Sequence, residues 1–508
     1  MIILNRFVKR VFNSYYEVVE QFMEKPFKVQ EDNFAYLLER GKNTYFGQEH
    51  KFDEIKGITD FKKKVPIGGY EQLRPYLDKI ITERRENILW DSPVKWFAMS
   101  SGTTEEKSKY IPVTQESLEN CHYKSGYHML GLYANSYPDA SYIFGKTLVL
   151  GGSQQVNNIG GNVYTGDISA ILMKNLPFWV KLARTPEELA LIPNWEEKLE
   201  KLSAYAVKQD IRALLGVPSW MLVLLKKIVA DTGRPIDELW KNLEVFFHGG
   251  VNFAPYQPQY NKLIKSPDMR YWETYNASEG FFGVQYSKES KDMLLLLDNE
   301  IFYEFIPVGE LNNGSYENVP ALTLSEVEVG EQYAIVITTS GGLWRYKIGD
   351  TIMFTSLNPH LFRITGRTKQ FINAFGEELI VDNADKALQM TSELTNSRIV
   401  EYTAAPVYFS DNGGGAHEWI IEFEEKPDNM EAFRSCLDDN LKKVNSDYEA
   451  KRSNDLSLTK PIIHVAEPGT FYQWMKHREK AGGQNKVPKL SNDRKYVDDI
   501  IEFLKVNS

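Results

Sequence analysis

Apolar residues near the start of the chain, Ile3, Phe7, Val11, Tyr15 and Val18, recur at the spacing of one helix face. They predict a helix docked on the body of the protein. A membrane-surface helix is the alternative, which the shortness of the basic face disfavours. Helical texture continues to about residue 90. Beyond it, apolar β-like runs alternate with helical ones. "KTLVLGG" (146–152) and "LEVFFHGG" (243–250) read as strands ending on glycine pairs, and "RYWETYNASEGFFG" (270–283) as a strand running into a turn. Residues 195–233 read as two amphipathic helices broken at Gly216–Pro218.

From about residue 293 the pattern becomes dense in β-branched and aromatic residues, with a hairpin signal at Ser340-Gly341-Gly342. A small α+β unit follows from about 364–379. It holds a helix, strands at 402–410 and 417–424, an amphipathic helix at 429–451, a strand at 461–467 and a helix at 468–480. The expected organisation is a large N-terminal α/β domain, 1–366, with a β-rich subunit, and a small C-terminal α+β domain, 367–508. A hinge of a few residues lies around Arg367–Gln370.

A chain of 508 residues exceeds one ordinary core, which agrees with two domains. With 42% hydrophobic and 25% charged residues it has the composition of a soluble globular protein. A net charge of -10 offers no basic footprint for nucleic acid. The two cysteines, Cys121 and Cys436, stand outside any CxxC pattern, so a reducing cytoplasm is expected. The eight histidines show no metal-ligand spacing. No signal peptide and no run of about 18 uncharged apolar residues occurs, so no membrane span is expected.

Candidate chemistry sits in five places. Ser100, Ser101, Gly102, Thr103 and Thr104, followed by Lys109, supply the hydroxyls, bare N–H groups and charge that a phosphate loop needs, although the P-loop pattern is absent. In "YNASE", Glu279 is an oxygen ligand suited to Mg²⁺, beside Tyr275, Asn276 and Ser278. In "YKIGD", Asp350 follows a glycine at a strand end, where a carboxylate can accept from both ribose hydroxyls. Arg367, in "ITGRTK", can clamp phosphate or ribose with its planar fork. Lys486, in the Gly-rich "AGGQNKVPK", can offset charge developing on phosphate oxygens. Each alone is also an ordinary turn, cap or surface residue.

Their order along the chain is more specific than any one of them. "SSGTTEEKSK", "YNASE", "YKIGD" and "NKVPK", spread over residues 97 to 489, resemble the motifs of the acyl-adenylate-forming superfamily. Within it the chain looks most like the Gretchen Hagen auxin-responsive family of acyl acid amido synthetases. Two departures stand out: Glu106 replaces a frequent loop glycine, and Lys347 replaces the usual arginine after the tyrosine of "YKIGD". Arg345, just before that tyrosine, offers a substitute.

The resemblance implies ATP and Mg²⁺ as cofactors, and a small carboxylic acid and an amine, such as an amino acid, as partners. It implies phosphate contacts from Ser100 to Thr104 and Lys109, and Mg²⁺ at Glu279. Tyr275 and its neighbours would border adenine or the α-phosphate. Asp350 and Arg367 would hold the ribose, and Lys486 would act in adenylation as the small domain closes. Superfamily layout places the acyl pocket near Val217, Trp220 and Met221; helix periodicity reads the same three as core. An acyl-CoA ligase and a catalytically silent nucleotide-binding sensor are the alternative readings.

Overall fold

The computed structural model describes the chain apart from residues 1, 102–107, 152–155, 312–315, 317–318, 369, 410–413, 453–456, 478–487 and 508. Helices open the chain as expected: Ile2–Glu24, Pro26–Gly41, Tyr45–Glu49, Ile58–Lys64 and Tyr70–Ile81. The first packs along the Lys124–Ser136 helix. Tyr15 stacks on Tyr127 with ring centroids 4.9 Å apart, and Val19 and Phe22 are buried. The segment is thus docked on the body. No described helix is long and apolar enough to cross a membrane.

A ten-stranded mixed sheet forms the body. Its parallel half runs Lys146–Leu150, Ile211–Gly216, Val245–Gly249 and Arg270–Ala277. Gly151, Gly216 and Gly249, at the C-terminal ends of three of these strands, therefore gather along one edge, where α/β sheets place ligands. The antiparallel half holds Gly280–Gln285, Met293–Leu295, Ile301–Pro307, Gln332–Thr339, Tyr346–Leu357 and His360–Arg367. The β-rich segment expected from the sequence is this antiparallel half, continuous with the parallel strands in one sheet. A smaller four-stranded sheet carries Trp96–Ser101 paired with Ser108–Val113.

Two helices were expected over 195–233, but a strand stands between them. Trp195–Ala206 is helical, Ile211–Gly216 joins the sheet, and Pro218–Thr232 is the next helix. A strand covered on both faces is a continuous apolar run, which periodicity does not separate from a helical one. Pro218 then opens the helix, where a missing N–H costs nothing. The helix expected over 429–451 is interrupted at Asn445, whose side chain accepts from Tyr448 N at 2.8 Å and caps a new helix, Ser446–Lys451.

Arg345 is not a substitute site residue. It is 4% exposed and pairs with Glu304 at 2.8 Å while donating to the carbonyls of Lys62 and Val65. Its guanidinium ties helix to sheet, away from the edge where the motifs meet.

The C-terminal unit is a three-stranded sheet, Arg398–Val407, Ala416–Glu425 and Ile462–Ala466. The helices Val381–Thr395 and Met430–Val444 pack on each other. One hydrophobic core runs from Leu148, Leu222 and Tyr260 of the body through Phe375 and Leu379 to Trp419 and Leu437. Tyr256 OH donates to Ala374 O, and Gln259 donates to Phe409 O at 2.7 Å. Buried apolar surface and hydrogen bonds thus hold the small unit on the parallel half of the sheet.

Candidate active site

Asp350 and Arg367 are cross-strand partners in an antiparallel pair, so their side chains share a face. Gly349, at φ +90°, gives the backbone a conformation that L side chains rarely adopt. It places Asp350 where Arg367 Nε donates to Oδ1 at 2.6 Å and the Tyr275 hydroxyl donates to Oδ2. Tyr275 arrives from the end of the parallel half. Burial raises its phenol well above the ordinary value, and the Asp350 charge raises it further. Burial works against the Arg367 cation, but Asp350 and Glu378 outweigh it and the guanidinium is held more firmly charged.

Glu279 lies in the turn between Arg270–Ala277 and Gly280–Gln285. Burial pushes its carboxyl up to about 7; Lys109 pulls it down, while Glu378 and Asp350 push it up. Lys109 is the register partner of Ser100, and its charge acts on Glu279, so the Trp96–Ser101 and Ser108–Val113 strand pair lies beside Glu279. Asn276 has a buried Oδ1 with no hydrogen-bond partner among the described residues. His122 lies next to it, and its pKa falls to about 4 through burial. Ser278 is half-buried in the same turn.

The fold therefore brings Lys109, Tyr275, Asn276, Ser278, Glu279, Asp350 and Arg367 to one place from four chain segments. Gly102, Thr103, Thr104 and Lys486 lie outside the described residues. The three acyl-pocket candidates separate. Met221 is fully buried in the core, as periodicity read it, and Val217 caps its helix. Trp220 meets the small unit, donating Nε1 to Phe375 O at 3.2 Å.

Glu378 joins the site without having been singled out from sequence. Its carboxylate is 3.7 Å from Arg367, and it sits at φ +40° beyond Gly376 at φ +89°. The "FGEEL" stretch held the signal: a glycine and two acids just after the arginine.

Carboxylates outnumber cations around Glu279, which suits a divalent cation. Mg²⁺ usually takes one or two carboxylates and completes its shell with water and substrate phosphates. Among the described residues no group of three His, Cys, Asp or Glu forms a metal cage on its own. The residues present therefore fit a cation shared with a polyphosphate.

Comparison with known proteins covers most of the chain. Residues 15–269 match the GH3 family N-terminal domain, 294–367 the GH3 family central domain and 382–495 the GH3 family C-terminal domain. Indole-3-acetic acid-amido synthetase GH3.4 of Arabidopsis thaliana is 23% identical, over 93% of this chain and 90% of that protein. Jasmonoyl--L-amino acid synthetase JAR4 of Nicotiana attenuata is 24% identical, over 91% of this chain and 90% of that protein. The solved structure of GH3.15 acyl acid amido synthetase superposes with a TM-score of 0.60 at 18% identity, covering 96% of this chain and 95% of that one.

Proposed function

This chain belongs to the GH3 family, and on that premise we infer that it is an acyl acid amido synthetase, a ligase that forms a C–N bond. The reaction has two halves. A carboxylate oxygen attacks the α-phosphorus of ATP, forming an acyl adenylate and releasing pyrophosphate. The nitrogen of an amine, in our reading an amino acid, then attacks the acyl carbon, and the bond to AMP breaks with its electrons on the phosphate.

The convergence of Tyr275, Asp350, Arg367, Glu279 and Lys109 on one sheet edge carries the nucleotide assignment. Each Asp350 oxygen already accepts one donor and retains a lone pair, so the carboxylate can also accept the two ribose hydroxyls. Arg367 and Tyr275 fix its orientation, which reduces the ordering cost of binding. Ser100, Ser101, Gly102, Thr103 and Thr104 would donate to phosphate oxygens, with Lys109 adding positive charge. Asn276 and Ser278 would border the α-phosphate or adenine. Glu279 would hold Mg²⁺, which neutralises phosphate charge during attack. Lys486 would meet the α-phosphate during adenylation. The division into domains 1–366 and 367–508, with a hinge at 367–370, belongs to the same proposal.

The deciding experiment is ATP–pyrophosphate exchange with a panel of carboxylic acids, followed by product mass spectrometry with added amino acids or coenzyme A. Acid-dependent exchange and an amide product are expected. Measurable ATP binding with no exchange would favour a binding-only protein, and a thioester product would favour the coenzyme A ligase reading. Lys486→Ala should lower exchange at least about 100-fold, the scale of losing one oxyanion stabiliser, with the melting temperature unchanged.

A further inference from the structure

The Ser446–Lys451 helix of the small unit lies against the Trp96–Ser101 strand, which leads into the phosphate loop. It brings Asp447 and Lys451 to a junction shared by Asp167, Trp220, Gly376 and Glu378. Lys451 is 7% exposed. Its ammonium stands 3.8 Å from the centroid of the Trp220 ring and 3.8 Å from where a Cβ on Gly376 would lie. It makes no hydrogen bond or ion pair to any described residue, although Asp447, Asp167, Glu377 and Glu378 all act on it electrostatically. Glu377 is already engaged by the backbone N–H groups of Ala374 and Phe375 and by His417.

Asp447 is half-buried and likewise makes no hydrogen bond through its carboxyl to any described residue. Burial pushes it up to about 7 against the pull of Lys451. A buried ammonium and a carboxyl without hydrogen bonds, set close together, are costly unless a ligand completes them. Ion-pair partners are ordinarily supplied within the fold. Here the two lie near one another without forming an ion pair, at the edge of a site that must receive an amine.

We propose that Lys451 and Asp447 form the acceptor subsite, Lys451 taking the carboxylate of an amino acid and Asp447 its ammonium. The assignment rests on the amido synthetase reading. An amino acid carries one group of each sign, and so does this junction. The pyrophosphate end of ATP would meet the same lysine but also the carboxylates of Asp447, Asp167 and Glu378, which repel it. Lys198, fully buried behind the junction and within 3.5 Å of Gly151 O, adds positive charge on the Lys451 side. Trp220, an acyl-pocket candidate from sequence, serves this subsite as the ring beneath the lysine.

The test uses full-length Lys451→Met and Asp447→Asn with the acid and amino acid identified by exchange and product mass. In each variant the KM for the amino acid should rise about tenfold or more, the loss of one charge-assisted hydrogen bond. The KM for ATP should change less than about twofold. The wild type should prefer the amino acid to its carboxamide, and Lys451→Met should lose that preference, with Lys451→Arg restoring part of it. An unchanged amino acid KM would overturn the assignment, and so would a parallel rise in the ATP KM, which would put Lys451 on the phosphates. Should Lys451→Met fail to fold, Asp447→Asn, a near-isosteric change at a half-buried position, decides alone. Amide formation by the wild type with unaltered variants would remove the subsite only; no acid-dependent exchange by the wild type would remove the subsite together with the family activity.

Discussion

Asp350 illustrates how one side chain acquires a role from its neighbours. Alone it is a carboxylate after a glycine. Between Arg367 and Tyr275 it is a fixed acceptor with both oxygens aimed. Asp350→Asn keeps the shape and removes the charge that holds Arg367. We expect ATP affinity to fall about tenfold by calorimetry, and stability to fall by about 2 kcal/mol in urea melts. Tyr275→Phe removes one donor only and should cost about 1 kcal/mol. ATP affinity equal to wild type in both variants would take the ribose role away from Asp350. Residue types and motif order made Asp350, Arg367, Tyr275 and Glu279 legible before the fold was known. Glu378, Asp447 and Lys451 were not legible, because an acid or lysine outside a motif is indistinguishable from a solvated one.

At the scale of elements, glycines at the strand ends mark where backbones approach. A Cβ on Gly249 would lie 2.3 Å from the carbonyl oxygen of Thr274 on the adjacent parallel strand. Backbone cannot yield as a side-chain tip can, so Gly249→Ala should destabilise by about 2–3 kcal/mol. Gly126 has nothing within 4 Å of its ideal Cβ and lies inside the Lys124–Ser136 helix. Gly126→Ala should therefore stabilise by about 0.5–1 kcal/mol, since alanine loses less backbone entropy. Urea melts of the two variants should move in opposite directions; shifts of the same sign would show that local space is not what distinguishes these positions.

For the whole molecule, buried titratable groups set the response to acid. Burial holds His248 near 3 and His122 near 4, below the unfolded value, so these two favour the folded state less as pH falls through about 6.5. Glu279 and Asp447 are both pushed up to about 7. Between about pH 4.5 and 6.5 the folded state therefore carries protons on the acids that the unfolded state releases, and stability on their account falls as pH rises. Burial holds His360 near 4 as well, so three histidines act against these two acids. Relative to the wild type in Mg²⁺-free buffer, Asp447→Asn should tilt the stability profile upward with pH in that window, and His248→Asn should tilt it downward, each by about 1.4 kcal/mol per pH unit. Profiles parallel to wild type in both variants would mean that these groups titrate alike folded and unfolded.

Local chemistry alone determined much of this protein. Helical periodicity set the N-terminal helices, alternation and glycine pairs set most strands, and the ordered motifs set the family. These signals are short-range, written in spacing and residue type. Only the tertiary structure decided that Ile211–Gly216 is a strand, since an apolar run has no period to read and takes its form from the sheet it enters. Only the tertiary structure put Arg345 beside Glu304 rather than at the site. It alone set the Ser446–Lys451 helix against the Trp96–Ser101 strand. Such pairings join residues far apart in the chain, and the free energy that selects them comes from shared burial, which no single segment contains.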